Sequence, residues 1–362
     1  MSNVIQLTFP SRRDQRAATI AALLDTFANH RRDMDDVFWM KENAEILNIL
    51  ECTGEVVDQD ALAPYRAFYD TIETRLEFFP QYYRFLLSIC QDLEAHGIGS
   101  GKARALAQWV ADQGLVDAEL SDLQRAEAQR LLARNGVMVD VGQEAINARL
   151  HRFVSRADTF AIPNKKAAYE LTHIVFYLSE YGRRDPGLNT QTRKSLEFAG
   201  TLALLDCNWD LLAETLVAMR YCGMTPPAEW DAAIAQATSH FTVAEGDDAV
   251  RQDDYHEYLV CNWALSTAGE TAFPHRMTPG PVSFHADPAR PSALREMSQI
   301  LFDLDARRSD DWHLMRDYLC DTISAAGSDT LMQAEAACDG FGDFFARFAR
   351  TNLRNNAKVL SA

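Results

Sequence analysis

The sequence predicts an all-α protein, a helical hairpin array that is α/α toroid-like in its C-terminal two thirds. Apolar residues recur at the helical period of about 3.6 almost throughout, whereas strand-like alternation is confined to residues 4–7. Glycines stop the periodic runs at Gly97, Gly182, Gly223 and Gly269. Two runs, YELTHIVFYLSEYG and DLLAETLVAMRYCG, repeat with identical register, which suggests stacked helix pairs.

In chain order, helices are expected first over 14–29, 35–53, 59–75 and 79–96. Within WMKENAEILNILECTGE, Glu42 and Glu45 share one side and Ile46, Leu47, Ile49 and Leu50 the other, an ordinary amphipathic pattern that gives the two acids no site role. Pro80 suits a first turn, and the run FFPQYYRFLLSIC is apolar almost all round, which indicates central burial. HGIGSGKARAL sets glycines before Lys102 without phosphate-loop spacing, so it reads as a helix stop ahead of a helix over 101–114. Helices over 119–134 and 141–155 follow.

Periodicity weakens over 136–162, just before Pro163, and this places a boundary. An N-terminal helical region over 1–135 would pack on a toroid-like domain over 136–362, or the two form one continuous domain. Later helices are expected over 165–182, 190–206, 208–222, 227–240, 253–268, 292–307, 309–326 and 329–352, with Asn208 or Asp210 capping the third of these. The last places Phe341, Phe344, Phe345 and Phe348 on one face, with Arg347, Arg350 and Arg354 around the other, and so docks on the body. Residues 270–291 carry five prolines and read as a lid or mobile surface loop, in which His275 and His285 are either mobile catalytic groups or ordinary exposed histidines.

Charge narrows the partners. Against 52 Asp and Glu there are 35 Lys and Arg, a formal charge of −17, which disfavours nucleic acid. The start MSNVIQLTFPSRRDQRAA lacks a secretory pattern, and no stretch has the apolar length of a membrane span, so a cytoplasmic protein is expected. Seven cysteines without C-x-x-C spacing read as small buried hydrophobes in a reducing compartment.

His173, Glu214 and His256 lie 41 and 42 positions apart, at matching places in successive helical units. Around a closed ring such positions would share a cavity, and two imidazoles with a carboxylate suit a divalent metal such as Zn²⁺ or Fe²⁺. The same groups could work as acid and base without metal, or Glu214 could satisfy a histidine structurally. The register is imperfect at His256, whose helix reaches its glycine four positions late. A competing set uses the pairs Glu170/His173, Asp253/His256 and Asp310/His313 with Glu42, Glu45 or Glu214 as bridging acids, the logic of a di-iron carboxylate oxidoreductase.

The runs FWMKENAEILNILECTG, FFPQYYRFLLSICQDLE, AYELTHIVFYLSEYG and YHEYLVCNWAL resemble a bacterial all-helical family of unknown function over most of the chain. The segment L-T-H-x-x-F-Y-L also resembles one in α/α toroid proteins, and that resemblance implies that His173 belongs to a shared site. It implies no particular activity. The resulting expectation is a metal-dependent enzyme acting on a small molecule or peptide, with His173, Glu214 and His256 as metal ligands and with Tyr177 and Glu170 adjusting substrate or protons. Its rival is a non-catalytic helical interaction scaffold, in which these residues satisfy one another and the acidic exterior recruits a partner.

Overall fold

Side-chain caps set many of the helix starts in the computed structural model, which describes residues 12–139, 142–250, 252–288 and 292–351. The helices are α1 (Arg12–Asp25), α2 (Val37–Cys52), α3 (Arg66–Phe78), α4 (Tyr83–Ala95), α5 (Lys102–Asp112), α6 (Asp122–Arg134), α7 (Gln143–Val154), α8 (Ala157–Phe160) and α9 (Lys165–Leu178). They continue as α10 (Thr190–Leu205), α11 (Trp209–Tyr221), α12 (Ala228–Ser239), α13 (Tyr255–Thr267), α14 (Ala293–Leu304), α15 (Trp312–Thr322), α16 (Ala325–Ala337) and α17 (Phe341–Ala349). Asp36, Ser121, Asn164, Asn189 and Asn208 each accept a backbone N–H of the first turn that would otherwise lack a helical partner. Asn208, not Asp210, is therefore the cap of α11.

The all-α class holds, and the departures from it are local. A single turn of π-helix, Thr26–His30, continues α1, and a 3-10 segment, Gln59–Tyr65, containing Pro64, replaces the first part of the helix expected over 59–75. The helix expected over 329–352 is two helices, broken ahead of Gly340. Two four-residue strands, β1 (Thr242–Glu245) and β2 (Val282–His285), pair antiparallel. Such short strands, separated by all of α13, carry no hairpin signal in the sequence. Strand-like residues 4–7 and Arg354 lie outside the described residues.

Residues 270–288 are a packed strap rather than a free lid. Ala272, Phe273, Met277, Val282, Ser283 and Phe284 are buried, the Phe273 N–H donates to Asn262 on α13, and Phe284 stacks on Tyr258 with ring centroids 4.3 Å apart. The prolines thus shape a segment whose apolar residues are core. At the other end of the chain, Phe341, Phe344, Phe345 and Phe348 are buried and Phe344 packs edge-on against Phe198 of α10, so α17 docks on the body as its apolar face requires.

Six helices contact one another in a cycle: α2 with α4, α4 with α6, α6 with α9, α9 with α11, α11 with α13, and α13 with α2. A second layer covers them, with α3 and α5 on α4, α7 on α6 and α9, α10 on α11, and α12 on α11 and α13. Three ring helices come from each side of residue 136, and α6 packs on both α7 and α9, so the packing runs without a break across the expected boundary.

A buried ion cluster sits where the first and last ring helices meet. The Arg31 guanidinium, 2% exposed, grips Asp253 with two 2.7 Å hydrogen bonds and donates Nε to Glu42 of α2 at 2.8 Å. It stacks within 4.8 Å of the Tyr255 ring and 5.1 Å of Phe27, while Asp253 also accepts the Phe284 N–H of β2. Removing the cation would leave two buried carboxylates facing each other across the seam, although Arg32 also reaches Glu42. Arg31→Ala is therefore expected to cost ~3–5 kcal/mol in urea unfolding. Asp35→Ala, which removes an exposed partner of Arg75, should cost about 1 kcal/mol or less. Equal, small losses in the two variants would show that Arg31 does not hold the seam.

Candidate functional site

All six ring helices line one cavity of about 190 Å³. One arc carries acids and imidazoles: Glu45 from α2, His173 from α9, Glu214 from α11 and His256 from α13. The α4 and α6 side carries Arg84, Glu127 and Arg130, and Phe176, Tyr177, Tyr181 and Trp263 supply an aromatic wall.

Both histidines are held from behind. His173 donates Nδ1–H to the Tyr169 carbonyl at 2.8 Å, one turn earlier on α9, and His256 donates Nδ1–H to Asp210 at 2.8 Å. Neither Tyr169 nor Asp210 lines the cavity, so each ring is fixed through Nδ1 by a group behind it. The Nε2 of His256 lies 3.4 Å from Glu45, and Glu214 lies 3.7 Å from the tethered Nδ1 of His173 while accepting the Thr172 hydroxyl at 2.6 Å. Asp210, Glu214 and His256 each offer a ligand atom within 4.8 Å of the others.

Burial sets the electrostatics. It pushes the Glu45 carboxyl up to about 7 despite the opposing charge of His256, and it likewise raises Glu214. For His256 burial acts against the charged ring, but Glu45 and Asp210 outweigh it and carry the imidazole up to about 10. The Tyr177 phenol is held well above its usual range, chiefly by burial. Acids and bases with displaced proton affinities thus face one void.

Of the residues singled out in the sequence, His173, Glu214, His256 and Tyr177 border this cavity, and Tyr177 meets His173 edge-on with ring centroids 6.1 Å apart. Glu170 does not: it lies one turn, about 4.5 Å of rise, before His173, and the α9 lining begins at His173. The di-iron set is not assembled. Asp253 and Glu42 are engaged by Arg31, and Asp310 accepts from Thr351. His285 bonds Ser283 and His275 packs beside Tyr258, both away from the cavity lining.

Glu45 and Asp210 were not assigned a site role from the sequence, yet one pattern there marks the first. Each ring helix is followed by a glycine of positive φ: Gly54, Gly97, Gly136, Gly182, Gly223 and Gly269. After five of them the next residue donates to the carbonyl five positions before the glycine's own successor, as in Glu55 to Leu50 and Met224 to Met219, which closes the helix end on a left-handed residue. The residues nine positions before these glycines are Glu45, Ser88, Glu127, His173, Glu214 and Val260, and every one lines the cavity. Counting thirteen back gives Asp210 and His256 on adjacent helices, the pair that bonds at 2.8 Å.

The chain belongs to the family described as "Domain of unknown function (DUF6902)", which matches residues 1–351. No curated protein and no solved structure matches it.

The proton affinities have a consequence for folding. Glu45 and His256 bind protons more tightly in the fold, to about 7 and about 10, than at their ordinary values of 4.5 and 6.5. Their contribution is complete below the ordinary values and is lost as pH rises through the folded ones. Metal-free protein should accordingly melt at progressively lower temperature from about pH 7 to about pH 10, with a shallower decline in His256→Gln. Parallel declines in the two proteins would show that His256 is not held charged in the fold.

Proposed function

We propose that this cavity is the active site of a metal-dependent enzyme acting on a small molecule, with a divalent cation such as Zn²⁺ or Fe²⁺ held by His173, Glu214 and His256. Glu45, beside the Nε2 of His256, would be a fourth ligand, giving two imidazoles and two carboxylates around one cavity, of which Glu214 and His256 offer ligand atoms within 4.8 Å of each other. The observation that carries the reading is the tethering of both rings at Nδ1, by the Tyr169 carbonyl and by Asp210, the arrangement that orients ligating histidines and fixes their tautomer. The cycle of six inner helices and its outer layer agree with an α/α toroid organised around this centre. Seven cysteines without disulfide partners agree with a cytoplasmic location.

When bound, such a cation would polarise a substrate oxygen or make a coordinated water acidic. The chain's own groups supply the rest. Glu45, with a carboxyl that titrates near 7, can hold or release a proton at neutral pH. Asp210 keeps the His256 ring aimed at the cavity, and Tyr177 with Trp263 excludes water from one wall.

A second reading, acid–base catalysis without metal, is favoured by one feature: His256 is already flanked by Asp210 at 2.8 Å and Glu45 at 3.4 Å, so its charge is balanced by protein groups alone. Calorimetric titration of EDTA-treated protein with Zn²⁺ and Fe²⁺ separates the two. The metal reading expects about one equivalent bound with proton release, loss of uptake in His173→Ala and His256→Ala, and about 10–100-fold weaker uptake in Asp210→Asn. Glu170→Gln should bind as wild type does. Absence of uptake by folded wild-type protein would abandon the metal reading for the metal-free one, and folded His173→Ala and His256→Ala variants with undiminished uptake would move the metal elsewhere.

A further inference from the structure

Arg130 is the one cavity cation on the α4 and α6 side whose hydrogen bonds leave a full edge of its guanidinium open. Arg84, its neighbour, is matched by two carboxylates, Glu119 at 2.9 Å through Nε and Glu127 through Nη1. Arg130 has one such partner, Glu180, at 3.1 Å through Nη1. Its side chain is 4% exposed and its Nε is buried without a hydrogen-bond partner. A buried guanidinium donor in that state costs free energy that an acceptor would recover. With Nη1 engaged, the Nε/Nη2 edge presents two parallel N–H groups, the geometry that pairs with a carboxylate or phosphate through two bonds.

The surroundings describe what such an anion would carry. The guanidinium stacks 4.8 Å from the Tyr181 ring and 5.7 Å from Tyr177, and Tyr181 in turn stacks on Trp263 at 5.9 Å. These rings bound the same cavity as the acid–imidazole arc. Arg130 and Tyr177 also border a second cavity, but Tyr181 and Trp263 line only the ring cavity of the two. In the ring cavity the carboxylate of Glu127 is already paired with Arg84.

We infer that the ring cavity takes a small organic anion with a flat apolar body, its carboxylate or phosphate on the Nε/Nη2 edge of Arg130 and its body against Tyr177, Tyr181 and Trp263. The inference names the substrate class for the site proposed above and rests on that site being where the substrate lies. The acid–imidazole arc then meets the end of the molecule remote from the anion, so Arg130 binds and orients while the other arc reacts.

Calorimetry on EDTA-treated wild-type protein at neutral pH tests this with benzoate, phenyl phosphate, benzyl alcohol and benzamidine, which share a ring and differ in charge. Both anions, or the one whose head group fits, should bind at least about tenfold more tightly than the alcohol and the cation. Arg130→Lys keeps the charge but loses the fork and should weaken the anion about tenfold; Arg130→Met should abolish the preference where the variant melts as wild type. Binding of neither anion, equal binding of alcohol or benzamidine, or an Arg130→Lys affinity within about twofold of wild type overturns the inference. The Zn²⁺ titration is scored separately: metal uptake without anion preference refutes this inference alone, and anion preference without metal uptake refutes the metal reading alone.

Discussion

Closure of the helical ring at Arg31 is the constraint on which the site depends. The first and last ring helices, α2 and α13, are separated by two hundred residues of chain, and what aligns them is a guanidinium shared by Glu42 and Asp253. Three residues further along each segment stand Glu45 and His256, 3.4 Å apart. On α2 the i, i+3 relation puts Glu42 and Glu45 on one helix face, and Asp253 stands two residues before α13 begins, so the guanidinium sets where His256, in the first turn, meets Glu45. An apolar seam of equal volume could be as stable, since desolvating ions offsets much of their attraction. It would tolerate sliding, whereas a two-bond carboxylate grip fixes both height and rotation.

The same seam explains why the interior can hold so many acids. Glu45, Asp210 and Glu214 crowd one arc, and burial raises the first and last of their carboxyls towards the neutral form. His256 answers two of these groups and His173 faces the third. Across the void Arg84 is matched by Glu119 and Glu127 and Arg130 by Glu180, so that arc also pairs its cations with carboxylates, while the buried Nε of Arg130 keeps no acceptor. A net charge of −17 on the whole chain therefore says little about the potential inside the ring.

Helix class was legible because the apolar period is local, and so were the glycine stops, because a left-handed residue at a helix end favours glycine wherever the helix lies. The pairing of His173 with Glu214 was legible for the same reason: α9 and α11 are neighbours in sequence as well as in space. The pairing of Glu45 with His256 was not, because α2 reaches α13 only through ring closure, which no local pattern announces. The late glycine after His256 looked like a flaw in the repeat. It is a shift of one helical turn, which puts His256 level with Asp210 rather than with Glu214 and makes Asp210 the residue that holds it. Asp210 had been read as an N-cap candidate, a role that Asn208 fills. The strap was misjudged because its prolines are visible in sequence while the burial of Phe273 and Phe284 is a tertiary fact.

Packing does not require polar residues at these heights of the ring. In the register set by the glycines, α13 places Val260 where α2 has Glu45, α9 has His173 and α11 has Glu214, and Val260 borders the same cavity while buried. An aliphatic side chain therefore fits the lining, and apolar residues at the other positions would avoid the cost of burying carboxyls. The two imidazoles that share this lining are each tied through Nδ1 to an acceptor that does not itself border the cavity. Both rings are thus held from behind at the wall of a cavity, the geometry on which the proposed ligand site rests.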